Sequence, residues 1–381
     1  RRQRQMCIRD RYNIVDSIFV ARISEEALTA VSMAFPMQNL MIGVAGGVGV
    51  GTNALLSRAL GEGRHEEADK MAVQGIFITA CSYIIFLAIG LFFAREFFVI
   101  QGANEVIADY GYDYLSVILI VSFGCLFQMI FERLLQATGR TFYSMITQGT
   151  GAIINIILDP ILIFVFNMGV AGVGWATFIA QGISSLLAFA VLLKRVHGIK
   201  SGTYKKFSIR MLGHISRIAI PSILQQSFVS VGNLFIQSRV NSFGSDAVAG
   251  SATGLNFEYF TYFTISAFVQ AAVTFTSQNY GARNFKRCKK IFVYSMISSV
   301  VICGLMSAIF VVLRDFFAEI YTTDKAVLEY ASIRMVHVLL FECLASSYEI
   351  GGAALRGLGY SMTPAVLTVS VSYTHLTLPT I

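Results

Sequence analysis

Long runs of predominantly apolar residues constrain this chain more than any other feature of its sequence. The runs include 76–93, 115–131, 153–170 and 291–313. Each approaches or exceeds the roughly 20 residues that an α-helix needs to cross the hydrocarbon core of a bilayer. Membrane-spanning strands would instead alternate apolar and polar residues over about ten positions, and these runs do not. We therefore predict an all-α, polytopic helical membrane protein.

The composition agrees with that prediction. Hydrophobic residues make up 55% of the 381 residues and charged residues only 13%, whereas a soluble domain carries about a quarter charged residues. The six cysteines are scattered and include no CxxC pair. This spacing disfavours a disulfide framework or a metal centre.

The hydropathy pattern predicts nine complete spans and two partial ones. The first span, near 12–21, is truncated, and the last begins near residue 360 and is incomplete. The complete spans lie near 27–56, 68–94, 106–137, 141–168, 170–193, 211–241, 246–276, 287–313 and 326–357.

Lysine and arginine indicate the orientation of these spans. If successive loops alternate between the two sides, eighteen basic residues fall on one side and six on the other. The positive-inside rule places the richer side in the cytoplasm. The net charge of +7 is then a topology signal, and no nucleic-acid partner is needed to explain it.

The two ends of the chain differ from the rest. Residues 1–11 (RRQRQMCIRDR) are strongly basic, and residues 371–381 (VSYTHLTLPTI) interrupt an apolar run. Both resemble translated sequencing-adapter read-through. We expect them to lie outside the fold and the natural protein to continue in both directions.

The sequence also repeats itself at a constant offset of 220 residues. Segment 57–70 matches 277–290, and segment 134–141 matches 354–361. Identical pairs at this offset include Ala27 and Ala247, Ser57 and Ser277, Gly61 and Gly281, Lys70 and Lys290, Phe97 and Phe317, Ile100 and Ile320, Tyr110 and Tyr330, and Gly139 and Gly359.

This repeat predicts two pseudo-symmetric six-helix bundles, truncated at both ends. The N-lobe would span 12–193, with its first helix incomplete, and the C-lobe 211–370, with helices seven to ten and the start of the eleventh. Residues 194–210 would form a cytoplasmic linker. Two such halves are typical of secondary transporters that alternate access by rocking.

Polar residues inside the spans are candidates for function, because a charge at mid-membrane costs about 2.5–3.5 kcal/mol on insertion scales. Asp16 lies in the first span, and Asn155 and Asp159 lie four residues apart on one face of the predicted 141–168 span. Thr177 adds a hydroxyl from the next span. Carboxylate, amide and hydroxyl oxygens suit a small hard cation such as Na⁺. A buried carboxylate also suits a proton, so both coupling ions stay open.

A second set of polar residues lies in the predicted C-lobe. Glu258 stands among aromatic residues, and Glu342 and Glu349 lie seven residues apart on one helical face. With Gln226, these acids are candidates for a cavity that binds a cationic substrate. Glu132, which precedes Arg133, is expected at the membrane interface.

The glycine-rich segment 43–51 (GVAGGVGVG) lies inside an apolar span and lacks the Lys–Ser/Thr of a phosphate-binding loop. Nucleotide binding is therefore disfavoured. Close helix packing or local flexibility is the better interpretation.

Taken together, several motifs resemble the multidrug and toxic compound extrusion (MATE) family. They are NIVDSIFVARISEEALTAVSMAFP (13–36), GGVGVGTNALLSRALGEG (46–63), LLQATGRT (134–141), and NIILDPILIF (155–164) followed by GVAGVGWAT (169–177). The resemblance implies twelve helices in two lobes forming an outward-facing V, in the cytoplasmic membrane of a bacterium or archaeon. It also implies a monomeric antiporter without a cofactor. The antiporter would export cationic or amphipathic drugs against entering H⁺ or Na⁺.

The resemblance extends to particular residues. The DinF-like branch of the family has a cation site in the N-lobe, and its positions match Asp16, Asn155, Asp159 and Thr177. The NorM-like branch also uses an acid on its seventh helix. The corresponding helix here has Gln225, Gln226 and Gln237 but no acid, which favours the N-lobe site.

Two alternatives remain open at the level of sequence. A lipid-linked oligosaccharide flippase of the related superfamily would need cationic residues inside its cavity, and the spans contain few. A membrane enzyme would need clustered catalytic residues, but the five histidines are dispersed.

Overall fold

The computed structural model of the chain describes residues 25–101, 105–166, 168–195, 208–241, 243–322 and 324–377. Within these ranges every regular element is a helix, as the apolar runs predict. The α-helices are α1 Glu25–Gly61, α2 His65–Phe92, α3 Ala94–Ile100, α4 Glu105–Ile120, α5 Phe123–Ala137, α6 Thr141–Pro160, α7 Gly169–Arg195, α8 Ile209–Asn241, α9 Ser245–Gly281, α10 Phe285–Val312, α11 Arg314–Glu319, α12 Lys325–His337, α13 Glu342–Leu358 and α14 Met362–Thr377. A π-helical turn, Ile161–Val165, follows α6, and a 3₁₀ turn, Leu339–Phe341, precedes α13.

Each of the nine complete spans predicted from hydropathy coincides with one helix or with two consecutive helices. In α1, α2, α6, α7 and α10 there is a segment long and apolar enough to cross a membrane alone, and α4 with α5 provides a sixth, bent by 42°. Helix α9 and the α12–α13 pair are more polar. We assign them as membrane spans because they are equivalent to α1 and to α4–α5 in the repeat. That α8 spans the membrane stays a prediction.

Two of the predicted spans are not continuous helices. The 106–137 span bends between α4 and α5, and the 326–357 span is interrupted by the 3₁₀ turn. Neither break contains a proline, so no residue in the sequence indicates where the helix is interrupted. Helix α14 extends to Thr377, into the 371–381 segment that we expected to lie outside the fold.

The chain divides into two compact units, an N-terminal unit, Arg1–Ile223, and a C-terminal unit, Leu224–Ile381. The boundary lies within α8, whereas the sequence suggested a linker at 194–210. The first half of α8 belongs to the N-terminal unit because Ile215 and Ala219 join its buried apolar cluster.

Glycines of α1 make that packing of α8 possible. A Cβ atom on Gly51 would lie 2.9 Å from the carbonyl oxygen of Ile215, and one on Gly47 would lie 2.9 Å from that of Ala219. These distances are shorter than any normal carbon–oxygen contact, so only glycine allows the two backbones to approach this closely. The close-packing interpretation of segment 43–51 is confirmed.

The internal repeat is present in the fold. The bounds of α1 and α9 differ by 220 residues at both ends, as do those of α2 and α10. Within its own unit, α1 packs against α2, α4 and α5, and α9 packs against α10, α12 and α13.

The tight turns between helices repeat as well. Gly139 and Gly359 both adopt the left-handed conformation, with φ of 78° and 96°. After each of them a backbone amide closes the turn at the same distance, Arg140 N to Leu135 O and Tyr360 N to Leu355 O, both 2.8 Å. The 220-residue offset is therefore a structural repeat and not a chance similarity.

One polar contact occupies the same place in each unit. In the N-terminal unit, Gln38 Nε2 donates to Tyr114 Oη at 3.0 Å. Adding 220 to both numbers gives Glu258 and Arg334, whose side chains form an ion pair with a shortest distance of 2.6 Å. The repeat thus preserves a contact between two helices while its chemistry changes from neutral to ionic.

Candidate functional site

The end of α6 brings three of the four predicted coupling residues together. Asn155 and Asp159 are completely buried and lie one turn apart, so Asn155 Nδ2 donates to Asp159 Oδ1 at 3.1 Å. The same Nδ2 lies 3.4 Å from Thr177 Oγ1 on α7. We call these three residues the α6–α7 site. Asp16, the fourth predicted member, lies outside the described residues.

The backbone after Asp159 leaves the regular α-helix. Pro160 has no N–H and cannot bond the carbonyl of Ile156, and a π-helical turn follows it. In that turn the amide of Phe166 bonds Ile161 O at 3.0 Å. Single π-helical turns are frequent at functional sites. After this turn the chain returns as α7, and Thr177 comes to lie beside Asn155.

Glycine again sets the distance between neighbouring helical segments. A Cβ atom on Gly172 of α7 would lie 3.1 Å from the carbonyl carbon of Leu162 in the π-helical turn. The close approach holds α7 against the turn and fixes the position of Thr177.

The α6–α7 site offers oxygen atoms in an apolar bundle. Asn155 Oδ1 is buried and accepts no hydrogen bond from the described residues. A buried oxygen of this kind normally has a partner. With the Asp159 carboxylate and the Thr177 hydroxyl, the arrangement suits a small hard cation or a proton.

A second buried network in the N-terminal unit was missed from the sequence. Gln148 Nε2 donates to Glu132 Oε2 at 2.7 Å, and Gln136 bridges Glu132 and Arg133 at 3.2 and 3.0 Å. All four side chains are buried in the protein. Glu132 lies five residues before the end of α5, and its expected depth at the membrane interface stays a prediction. Gly49 of α1 makes room for the Arg133 stem, because a Cβ there would lie 2.8 Å from Arg133 Cγ.

In the C-terminal unit, Glu258 is already paired. Arg334 Nε and Nη2 donate to its two carboxylate oxygens at 2.6 and 2.9 Å, and Arg334 Nη1 donates to Ser251 Oγ at 2.7 Å. Two parallel bonds of this kind are the strong, directional form of an arginine–carboxylate pair. The charge that we proposed for substrate binding is thus balanced within the protein.

Glu349 also lies beside an arginine. Its Oε2 is 3.8 Å from Arg356 Nη2, and Arg356 Nη1 donates to Gln225 Oε1 at 2.9 Å. Gln225 Nε2 in turn donates to Tyr348 Oη at 2.8 Å. Gln225 is therefore the glutamine in the network, whereas the predicted Gln226 is exposed.

Glu342 differs from the other two acids. It interacts electrostatically with Glu258, Glu349 and Arg334, yet it forms no ion pair within the described part of the chain. We call Glu258, Glu342, Glu349, Arg334 and Arg356 the C-terminal polar cluster. Three carboxylates face two guanidinium groups there, so one negative charge remains unbalanced when all five are ionised.

The arginines in these networks also revise the topology count. The eighteen basic residues on the richer side include Arg133 and Arg356, and the six on the poorer side include Arg334, but each of the three lies within a helix and takes part in a polar network. The positive-inside argument then depends on the remaining loop charges, and their bias still favours the same orientation.

A comparison with protein families decides what kind of molecule carries these sites. The MatE family profile matches residues 5–161 and, a second time, residues 221–380. Together the two matches cover most of the chain, and they fall on its two repeats. The chain belongs to the MatE family. The sequence-based prediction of this family, and of a multi-pass helical protein of the cytoplasmic membrane, is confirmed.

Two relatives are identical to this chain at about a quarter of the aligned positions. An FAD transporter from Shewanella oneidensis is 25% identical over 337 residues, which is 87% of this chain and 74% of the relative. The multidrug export protein MepA from Staphylococcus aureus is 25% identical over 324 residues, covering 84% of this chain and 71% of the relative.

Solved MatE structures share the fold. A crystal structure of a MATE protein in the straight conformation superposes with a TM-score of 0.91 at 24% identity. The match covers 98% of this chain and 84% of that one. At this identity the likeness supports the helical architecture and leaves the substrate to be argued from the residues.

Proposed function

We propose that this MatE protein is a secondary exporter that moves cationic or amphipathic drugs out of the cell in exchange for inward H⁺ or Na⁺. Membership of the MatE family and the likeness to a multidrug export protein support a transporter of this class. The observation that carries the coupling mechanism is the α6–α7 site. A completely buried carboxylate among apolar helices is costly unless something neutralises it.

The free-energy cost of burying this carboxylate explains how ion binding is coupled to transport. A cation or proton bound at Asp159 removes the buried negative charge, and its release restores the charge. The occupied and empty sites therefore favour different packing of α6 against α7. Pro160 already leaves one backbone carbonyl without its helical partner, so the π-helical turn can rearrange with little loss of hydrogen bonding.

The direct test replaces the carboxylate. In a drug-sensitive bacterium that expresses the protein, Asp159→Asn should reduce energised ethidium efflux on the order of tenfold or more, because a neutral amide cannot bind and release the coupling ion. The matched control is Asp109→Asn, which removes an exposed acid from the same unit. Normal efflux by Asp159→Asn at normal expression would remove this site from the mechanism.

Removing the Na⁺ gradient and the pH gradient separately identifies the coupling ion. Replacing Na⁺ with K⁺ at fixed pH stops transport if Na⁺ is the ion, and collapsing the pH gradient stops it if H⁺ is. Transport that survives both treatments would contradict ion exchange at Asp159.

We assign cationic substrates to Glu342 of the C-terminal polar cluster. Glu258 and Glu349 each have an arginine partner, so Glu342 carries the unbalanced charge. A cationic drug can provide the missing positive charge, and charge-assisted hydrogen bonds in such surroundings are worth about 1.5–3 kcal/mol.

Glu342→Gln should therefore raise the KM for a cationic substrate on the order of tenfold and leave that for a neutral amphipathic substrate unchanged. Proteoliposomes that carry the variant permit both measurements, with Glu319→Gln, an exposed acid of α11, as control. FAD belongs in the same assay because one relative is an FAD transporter. Preference for FAD over cations would contradict the assignment, since the cluster has an excess of negative charge.

A further inference from the structure

The turn between α9 and α10 is strongly and uniformly basic. Arg283, Lys286, Arg287, Lys289 and Lys290 all have exposed side chains, and segment 281–290 contains no acid. None of the five forms an ion pair with another described residue. We call these five residues the basic turn.

The equivalent turn of the N-terminal unit has the opposite character. Segment 61–70 contains Glu62, Glu66, Glu67 and Asp69, and two of these acids pair with Arg64. The two turns share a scaffold and a position in the repeat. Their charge is therefore not dictated by the fold. The positive-inside rule explains a basic bias on the cytoplasmic side, but it does not explain why two turns on that same side differ in charge.

Backbone strain in the basic turn supports that view. Arg283 has a φ of 54°, in the left-handed region that side chains disfavour. Its counterpart Gly63 has a φ of 72°, and glycine adopts this conformation without steric strain. The chain thus carries an arginine where glycine would be more stable, which is a pattern associated with function.

The basic turn is continuous with an exposed apolar surface of α10. Lys286 and Lys290 lie one turn apart, and the same helical face continues to Tyr294, Ile297 and Val301, which are 66%, 56% and 51% exposed. In α2 the same face is interrupted at Gln74, the counterpart of Tyr294, which is buried. On α10 the ammonium groups of Lys286 and Lys290 therefore lie next to a continuous stripe of exposed apolar side chains.

We propose that the basic turn binds the phosphate headgroup of an anionic phospholipid from the cytoplasmic leaflet, with the acyl chains of that lipid lying along α10. The positive-inside rule places this turn in the cytoplasm. Clusters of four to eight basic residues next to a membrane helix are attracted to anionic lipids, by about a fivefold change in affinity per charge. The apolar stripe below the lysines favours a lipid over a soluble anion.

Binding is measured on the purified full chain in detergent as the rise in thermal unfolding midpoint and the apparent affinity for phosphatidylglycerol. The triple variant Lys286→Gln, Lys289→Gln, Lys290→Gln should lose affinity on the order of 100-fold. The matched control is Arg64→Gln with Lys70→Gln in the N-terminal turn, which should retain wild-type affinity. Phosphatidylcholine should give no specific rise in either protein.

Two further measurements test the proposal. Arg283→Gly should raise the unfolding midpoint without lipid, since strain is removed, and lower the affinity for phosphatidylglycerol about fivefold. Glycerol phosphate, the headgroup without acyl chains, should produce no stabilisation. An unchanged phosphatidylglycerol affinity in the triple variant, or equal stabilisation by glycerol phosphate, would overturn the lipid site.

Discussion

At the scale of residues, the Glu258–Arg334 pair stabilises the C-terminal unit only as long as both partners are present. Glu258 is buried and Arg334 is only partly exposed. Removing one partner of such a pair leaves an uncompensated charge, which typically costs about 3–5 kcal/mol. Replacing both by a neutral hydrogen-bonded pair avoids that cost. The N-terminal unit has such a neutral pair at the equivalent positions.

This comparison gives a prediction for the pair. Glu258→Gln alone should lower the thermal unfolding midpoint strongly, whereas Glu258→Gln with Arg334→Tyr should recover most of the loss, because it recreates the Gln38–Tyr114 contact. The midpoint is measured on purified protein in detergent. Ethidium efflux by the double variant should persist if the pair is structural. A double variant no more stable than the single one would contradict the equivalence of the two contacts.

The sequence predicted some of these residues and not others, for physical reasons. Asn155 and Asp159 were predictable because a four-residue spacing puts them on one helical face. The partner of Glu258 was not, because Arg334 lies 76 positions away and pairing across helices leaves no local pattern. Burial of Glu132 was missed for the same reason, since Gln148 lies on the next helix.

At the scale of elements, glycine determines which helices can touch. In the C-terminal unit a Cβ atom on Gly250 of α9 would lie 2.6 Å from the carbonyl oxygen of Val327 on α12. The neighbouring atom is backbone, so no side-chain rotation relieves the clash. Gly213 of α8 has no atom within 4 Å of such a Cβ.

These two glycines provide a matched test. Gly250→Ala should lower the free energy of unfolding by about 1–3 kcal/mol through overpacking, while Gly213→Ala should leave it unchanged or raise it by up to about 1 kcal/mol through helix propensity. Denaturant titration of the purified protein in mixed micelles measures both. Equal effects of the two substitutions would contradict the packing of α9 on α12.

Helix existence was predictable from the sequence, but helix shape was not. Apolar runs located every described span to within a few residues, because bilayer thickness fixes their length. The bend between α4 and α5 and the 3₁₀ turn before α13 were not predicted, since neither contains a proline to mark it. The half-and-half division of α8 was also missed, because it depends on which partner each half packs against.

At the scale of the whole molecule, the distribution of basic residues predicts which side of the membrane each turn faces. The α9–α10 turn is rich in lysine and arginine, whereas the segment between α10 and α12 carries both signs. Since one helix separates these two connections, they should lie on opposite sides.

Cysteine labelling tests that orientation. In a variant whose six native cysteines are replaced, Ala282→Cys should react with a membrane-impermeant maleimide only in inside-out vesicles, and Glu319→Cys only in intact cells. Both positions are exposed, so accessibility within the protein does not limit the reaction. Reaction of Ala282→Cys in intact cells would reverse the predicted topology.

The repeated contact of Gln38 with Tyr114 and of Glu258 with Arg334 has a consequence for engineering. Two copies of one backbone hold a neutral bridge in one half and an ionic bridge in the other. The same helix packing therefore accommodates either a neutral or an ionic side-chain contact at these positions. Exchanging the two contacts between the halves would move an ion pair from the C-terminal unit to the N-terminal unit without changing any helix backbone, so these four positions are the natural place to begin altering the polar interior of the protein.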